Sequence, residues 1–227
     1  MSVKCATISV MEMWHVLNRG VDKRAVVLDD ADRFRFVHDM LAFNDEGRVD
    51  ENHRNPRWTM AAHERKILVH IHAWCLMNNH YHLLLSEART DGVSQFLKKL
   101  NMGYTKYFNE KYDRTGALWQ GKTKKILIER DAHFMHIPLY IHLNPLDMSL
   151  PQWRRGAVTD PTKALAKLEM YRWSSHRDYL GEKNFPSVIS HQHTKLFDGF
   201  DTRHHYEKKL RDVISDTDIA TPSALLE

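Results

Sequence analysis

Residues 67–86 constrain the fold more than any other stretch of the chain. Ile67 to Met77 alternates and is rich in β-forming side chains, Asn78-Asn79 is a turn dipeptide that tolerates left-handed angles, and His80 to Ser86 resumes as a strand. The pattern predicts a β-hairpin whose second strand begins with His80-Tyr81-His82. Successive strand side chains point to opposite faces, so the two imidazoles project to one side and Tyr81 to the other. Two parallel imidazoles are half of a metal-ligand set. The spacing alone is weak evidence, because the chain holds 16 histidines and repeats it at His70-Ile71-His72 and His191-Gln192-His193.

The flanking segments give the hairpin its setting. Glu12 to Arg19 alternates and ends at Gly20, which reads as a strand and a turn. Asp29 or Asp30 can cap a helix carrying Phe34, Phe36, Val37, Met40 and Leu41. Arg48 to Glu64 is polar, contains Pro56 and reads as a loop or a short inserted helix. From Gly92 to Tyr112, Val93, Phe96, Leu97, Leu100, Tyr104, Tyr107 and Phe108 recur at spacings of three and four, the mark of an amphipathic helix. Gly116 to Ile128 reads as extended, and Asp131 starts a helix that runs to Leu143 and stops at Asn144-Pro145. Pro138 removes a helical hydrogen bond, which predicts a kink or a helix start just before Tyr140. Strand, helix, hairpin, helix, strand, helix is a split β-α-β order: α+β, an antiparallel sheet with helices packed on one face.

Charge is local rather than global. The formal net charge is only +4, yet Lys98, Lys99, Lys106, Lys111, Arg114, Lys122, Lys124 and Lys125 fall within 28 positions. Such a run is either a solvated helix face or a groove that tracks phosphates, and the interleaved Phe96, Tyr104, Tyr107, Phe108, Tyr112 and Trp119 suit base stacking or a helix core equally. Cys5 and Cys75 are the only cysteines, which excludes a disulfide framework and a Cys-x-x-Cys zinc site and points to a reducing cytosol. Met1 to Val10 lacks a signal-peptide core, and no apolar run approaches the roughly 20 residues of a membrane span. The expectation is a cytoplasmic protein without a membrane partner.

A second cluster, Tyr140-Ile141-His142-Leu143-Asn144-Pro145, adds a nucleophile and an amide. On a helix, residues 140 and 144 face the same way, about 6 Å apart along the axis. A phenol has a pKa of about 10 and attacks poorly at neutral pH, but it also leaves passably, so a phosphotyrosine link is reversible without outside energy. Two imidazoles and an amide oxygen leave positions for water and phosphate, which suits Mg²⁺ or Mn²⁺ better than a closed zinc site. His142, between them, reads as a structural or DNA-contacting residue. Taken singly, each residue has an ordinary structural reading; the conjunction carries the chemistry.

Five stretches together resemble the REP-associated tyrosine transposases, HUH single-strand nucleases with one catalytic tyrosine. They are residues 15–20, 73–85, 116–122, 140–145 and 171–181, in the family's order. The resemblance implies a ferredoxin-like catalytic domain over residues 1–150 and a helical and irregular C-terminal extension over 151–227, into which the match continues to residue 181. It implies Tyr140 as nucleophile, His80 and His82 as metal ligands and Asn144 as the third. The implied reaction is cleavage and rejoining of single-stranded or hairpin DNA through a 5′-phosphotyrosine, by a monomer or homodimer. Arg19, Lys98, Lys99, Lys106, Trp119, Lys122, Lys124 and Lys125 are the candidate DNA contacts. Asn78 stands where the family usually has proline. A hairpin-binding protein that grips DNA or RNA without cutting is the alternative, and a replication initiator or plasmid relaxase is a more distant one.

Overall fold

The computed structural model describes residues 12–47, 65–128, 131–190 and 202–215, with the side chains of 131–135 left aside. The polar segment 48–64, the His191-Gln192-His193 repeat and the chain beyond 215 lie outside the described residues.

The predicted hairpin is present: β2 (Val69–Leu76) and β3 (His80–Glu87) pair antiparallel. Its turn works differently from the expectation, because neither Asn78 nor Asn79 takes a positive φ. Their side chains do the work instead. Asn78 Oδ1 accepts from Arg33 at 2.9 Å, and Asn79 Nδ2 donates to the Lys23 carbonyl at 3.1 Å. β1 (Met13–Arg19) lies beside β3, and β4 (Lys124–Leu127) closes the far edge, giving the order β2-β3-β1-β4 with every neighbour antiparallel. This is the ferredoxin-like α+β sheet. Of the extended reading for 116–128, only the last four residues before Ile128 form a ladder strand.

Two helices cover one face. α1 (Asp30–Ala42) starts with a reciprocal capping box between Asp29 and Asp32, and α2 (Gly92–Lys111) buries the periodic stripe Val93, Phe96, Leu97, Leu100, Tyr104 and Phe108. They pack on Val16, Ile71, Trp74, Tyr81, Leu83 and Leu85 of the sheet. The opposite face carries α3 (Asp131–Leu143) and the C-terminal extension, which bury Met13, Ala73, Cys75 and Leu84. Pro138 sits inside α3, and the helix runs past it to Leu143. Burial of Ile137, Leu139, Tyr140, Ile141 and Leu143 offsets the lost hydrogen bond, since tertiary packing supplies most of a helix's stability.

Among the described residues, the chain after Pro151 packs against β2 and α3. Residues 171–181 run along the free edge of β2, where Leu76 N donates to the Trp173 carbonyl and Ser175 N to the Trp74 carbonyl. α4 (Pro161–Met170), the short α5 (His176–Tyr179) and α6 (Arg203–Ser215) then complete the core around α3.

Candidate active site

Register decides which side chains meet. His80 pairs with Arg19 and His82 with Leu17 across the β3–β1 ladder, and Lys124 pairs with Leu17 across β1–β4, so these residues share the α3 face. Tyr81 points the other way and donates to Asn101 Oδ1 in the opposite core. The imidazoles of His80 and His82 have centroids 5.0 Å apart, and His82 is buried beneath. A third imidazole joins them: His15 stacks on His82 at 5.2 Å, with His15 Nε2 3.0 Å from His82 Nδ1.

All three rings are neutral at neutral pH. Burial lowers His15 to about 4, burial and then the Arg19 charge lower His80 to about 4, and burial with the neighbouring His80 and His15 rings holds His82 well below its ordinary value. The neutral form is the one that binds a cation. Asn79 fixes the tautomer of His80. Its Nδ2 is turned to the Lys23 carbonyl, so Oδ1 accepts the His80 Nδ1 proton at 2.6 Å and Nε2 keeps its lone pair. His82 likewise has Nδ1 taken up by His15, which leaves Nε2 as its remaining ring nitrogen. Among the described residues, no three or more His, Cys, Asp or Glu side chains gather into a closed cage. Two imidazoles that line an open cavity fit a labile divalent cation rather than a structural zinc.

That cavity, of about 320 Å³, is lined by His80, His82, Leu17, Asn18, Arg19, Lys23, Gln120, Lys122 and Lys124. Four cations and no carboxylate form its wall, a setting that attracts phosphate. Its rim is held by strained and tightly bonded backbone. Asp22 and Lys23 both take positive φ, near 55° and 59°, without being glycine. A Cβ on Gly20 would overlap the Arg24 carbonyl oxygen, which makes glycine necessary there. Gln120 N donates to the Arg19 carbonyl at 2.7 Å and Val21 N to that of Leu118 at 2.9 Å, which docks the 118–122 segment beside β1.

Tyr140 meets the histidines from α3. Its ring lies edge-on to His82 at 5.8 Å and to His15 at 6.0 Å, and Trp153 flanks it at 5.9 Å. It is 1% exposed and does not line the cavity. Its hydroxyl accepts from Arg154 Nη1 at 3.0 Å. Asn144 is turned back onto α3: Nδ2 donates to the Tyr140 carbonyl at 2.8 Å, while Oδ1 accepts from Arg154 Nη2 at 3.3 Å. The Asn144 oxygen must leave Arg154 before it can hold a cation. Burial alone would lower the pKa of Arg154, but bonds to Asp147 and Tyr140 raise it above the ordinary arginine value.

The candidate DNA contacts separate into two groups. Arg19, Lys122 and Lys124 line the cavity. Lys98, Lys99 and Lys106 lie on α2, which covers the other face, and the structure does not bring them to the histidines. Lys99 is committed to the carbonyls of Asp45, Glu46 and Gly47, and Lys106 pairs with Glu110 at 3.7 Å. Lys125 pairs with Val16, so it faces α2 and donates to Ser94 Oγ at 2.9 Å. Trp119 is a core residue: it packs on Tyr81 at 5.2 Å, and its indole N–H donates to the Asn101 carbonyl. An indole held there has no face free for a base. His142 is fully buried and bonded to Ser175 and Tyr206, on the structural side of its reading.

In the sequence His15 falls within a motif without a role, Asn79 reads only as part of a turn, and Lys23, Asp147 and Arg154 carry no functional signal. The signal for His15 was its parity with Leu17 and Arg19 on a strand that this topology places beside β3. Nothing local marks Arg154.

Residues 49–143 match the family model described as "Transposase IS200 like". The matched span contains the hairpin, α2, β4 and α3, and so His80, His82 and Tyr140. Among solved structures, a REP-associated tyrosine transposase bound to a REP hairpin is similar, with 12% identity and a TM-score of 0.46 over 84% of this chain and 91% of that one. No curated protein matches the chain. No helix among the described residues is long and apolar enough to cross a membrane.

Proposed function

We propose that the protein is a metal-dependent transposase and endonuclease of single-stranded DNA, acting on hairpin-bearing strands through a 5′-phosphotyrosine. The observation that carries this reading is the contact of the Tyr140 ring with His82, directly behind a cavity walled by Arg19, Lys23, Lys122 and Lys124. The transposase match over 49–143 supports the class of reaction, and the motif resemblance supports the hairpin substrate.

In this reading the rim cations hold the backbone of a DNA strand and draw one phosphate to His80 and His82. Tyr140 Oη attacks that phosphorus, the P–O3′ bond breaks, the phenolic proton passes to solvent and the 3′-oxygen takes one up. The DNA is left with a free 3′-hydroxyl and a 5′-phosphotyrosine link. Mg²⁺ or Mn²⁺ held by His80, His82 and a reoriented Asn144 would polarise a non-bridging oxygen and offset charge in the in-line transition state.

A labelled hairpin oligonucleotide incubated with the protein and Mg²⁺ or Mn²⁺ tests the proposal. A covalent adduct that survives denaturation, and that disappears in Tyr140→Phe while hairpin binding persists, is the expected outcome. An adduct unchanged in Tyr140→Phe rejects this nucleophile. The second reading, hairpin binding without cleavage, draws on the burial of Tyr140 away from the cavity. Salt-sensitive binding with no adduct in either metal selects it.

A further inference from the structure

We infer that Arg154 is a catalytic residue that holds the nucleophile's oxygen, placing Tyr140 Oη for attack and stabilising it as the leaving group when the link is reversed. The inference rests on the proposed role of Tyr140. Four bonds define it: Nη1 to Tyr140 Oη at 3.0 Å, Nη2 to Asn144 Oδ1 at 3.3 Å, Nε to Asp147 Oδ1 at 2.9 Å and Nη2 to Asp147 Oδ2 at 2.5 Å. The guanidinium also rests against two aromatic rings, 5.4 Å from the Tyr140 ring centroid and 4.9 Å from that of Trp153.

A planar fork with five donors on three nitrogens can hold a phenol, an amide and both oxygens of a carboxylate through four bonds at once, whereas an ammonium has only three donors. Asp147, itself fixed by the Trp153 indole N–H at 2.7 Å, anchors the fork. The remaining donors point at the two residues that carry the reaction. Arginine stays protonated, so it is a donor and never the base. In cleavage, Oη bonds to phosphorus and the P–O3′ bond breaks; in rejoining, the 3′-hydroxyl gives its proton to solvent as its oxygen bonds to phosphorus, the P–Oη bond breaks, and the released phenolate takes up a proton from solvent. Negative charge collects on Oη in the second step, and a preorganised donor at 3.0 Å meets it without reorganisation. The ordinary alternative is a structural ion pair with Asp147 that happens to touch a tyrosine.

The test separates these with Arg154→Ala, Arg154→Lys and single-turnover adduct formation on the labelled hairpin. Arg154→Ala is expected to slow adduct formation and rejoining by about 10²-fold, the usual effect of removing one such donor. Hairpin affinity stays at the wild-type level, and added methylguanidinium restores part of the rate. Arg154→Lys keeps the Asp147 ion pair, and so the fold, yet loses the bridge to Oη and Asn144; its thermal midpoint stays near wild type while its rate falls. A ¹³Cζ-tyrosine NMR signal, assigned by its absence in Tyr140→Phe, is expected to move in Arg154→Lys, and this readout needs no cleavage. Wild-type rates in both variants overturn the role of Arg154 and leave Tyr140 standing. Losses of rate that track equal losses of hairpin affinity, without rescue, assign Arg154 to structure. A wild-type protein that forms no adduct overturns the functional reading and this inference with it.

Discussion

Two groups of buried histidines sit on the α3 side of the sheet, and they have opposite designs. In the inner group, the side chains form one continuous hydrogen-bond chain that ends on the backbone. His142 Nε2 lies 2.7 Å from Ser175 Oγ, His142 Nδ1 2.9 Å from Tyr206 Oη, and Tyr206 Oη 2.7 Å from His176 Nδ1. One proton assignment satisfies the whole chain: His176 donates to Tyr206, Tyr206 to His142, His142 to Ser175, and Ser175 to the Trp74 carbonyl at 3.3 Å. It leaves only the His176 Nε2 lone pair without a partner. In the outer group, His80 and His82 each spend Nδ1 on a neighbour and line a basic cavity. The same side chain thus serves as mortar in one place and as an offered ligand in the other. The difference lies in where the rings face: the outer pair lines the open basic cavity, and the inner pair is sealed in the core at 0% and 1% exposure.

Exchanging the two groups' fates gives the largest expected effect. His82→Ala should abolish the covalent adduct and weaken Mn²⁺ binding by more than the 10–100-fold (order of magnitude) that loss of an outer partner costs. His142→Ala, by contrast, should leave Mn²⁺ affinity at the wild-type value and lower the unfolding midpoint. Calorimetric titration of Mn²⁺ on both variants checks this, and equal loss of affinity in the two would erase the distinction.

Acid should strike the inner group next. Burial holds His176 near 3, and it holds His142 well below the ordinary histidine value. Their neutral forms are favoured in the folded state, whereas the unfolded chain takes up protons at about pH 6.5. Their contribution to stability is therefore complete above pH 6.5 and is lost as pH falls from there toward 3. Urea midpoints measured across this window should decline in the wild type and decline less in His176→Gln. A smaller, pH-independent loss is expected for Tyr206→Phe, which removes the hydroxyl shared by both rings. It should cost about 1–3 kcal/mol in urea unfolding, the range for stranding buried partners.

The inner group was invisible in the sequence for a physical reason. Its members lie on α3, on the 171–181 segment and on α6, and no local pattern links His142 to Tyr206 across 64 positions. Elements with their own periodicity were legible: the hairpin, the α2 stripe and the Asp29 cap all stand where the residues placed them. The opposition of His82 and Tyr140 was legible as a conjunction of motifs, while their contact needed a sheet order that only long-range pairing fixes. Trp119 misled because an aromatic in an irregular, basic stretch resembles a stacking platform, yet it fills the gap between Tyr81 and Tyr104. Asn144 shares the face of Tyr140 as its spacing indicated, but its amide folds back because the carbonyls at the end of α3 need a donor.

The smallest expected effect is also the sharpest test of how the basic residues divide. Eight cations within 28 positions look like one surface when read along the chain. The sheet splits them, because α2 covers one face while Lys122 and Lys124 reach the cavity from the edge beside β1. Each phosphate contact contributes roughly 0.9 to the slope of log affinity against log salt on duplex DNA and roughly 0.7 on single strands. Lys122→Ala with Lys124→Ala should therefore weaken hairpin binding at low salt and reduce that slope by about 1–2. Lys98→Ala with Lys106→Ala removes as much formal charge and should barely change the slope, since long-range attraction is screened within about 10 Å at 0.1 M salt. Fluorescence anisotropy on one hairpin at several salt concentrations measures both. A larger change in slope from the α2 pair would mean that the DNA lies along that helix, on the face opposite His82, and would separate the grip from the proposed chemistry.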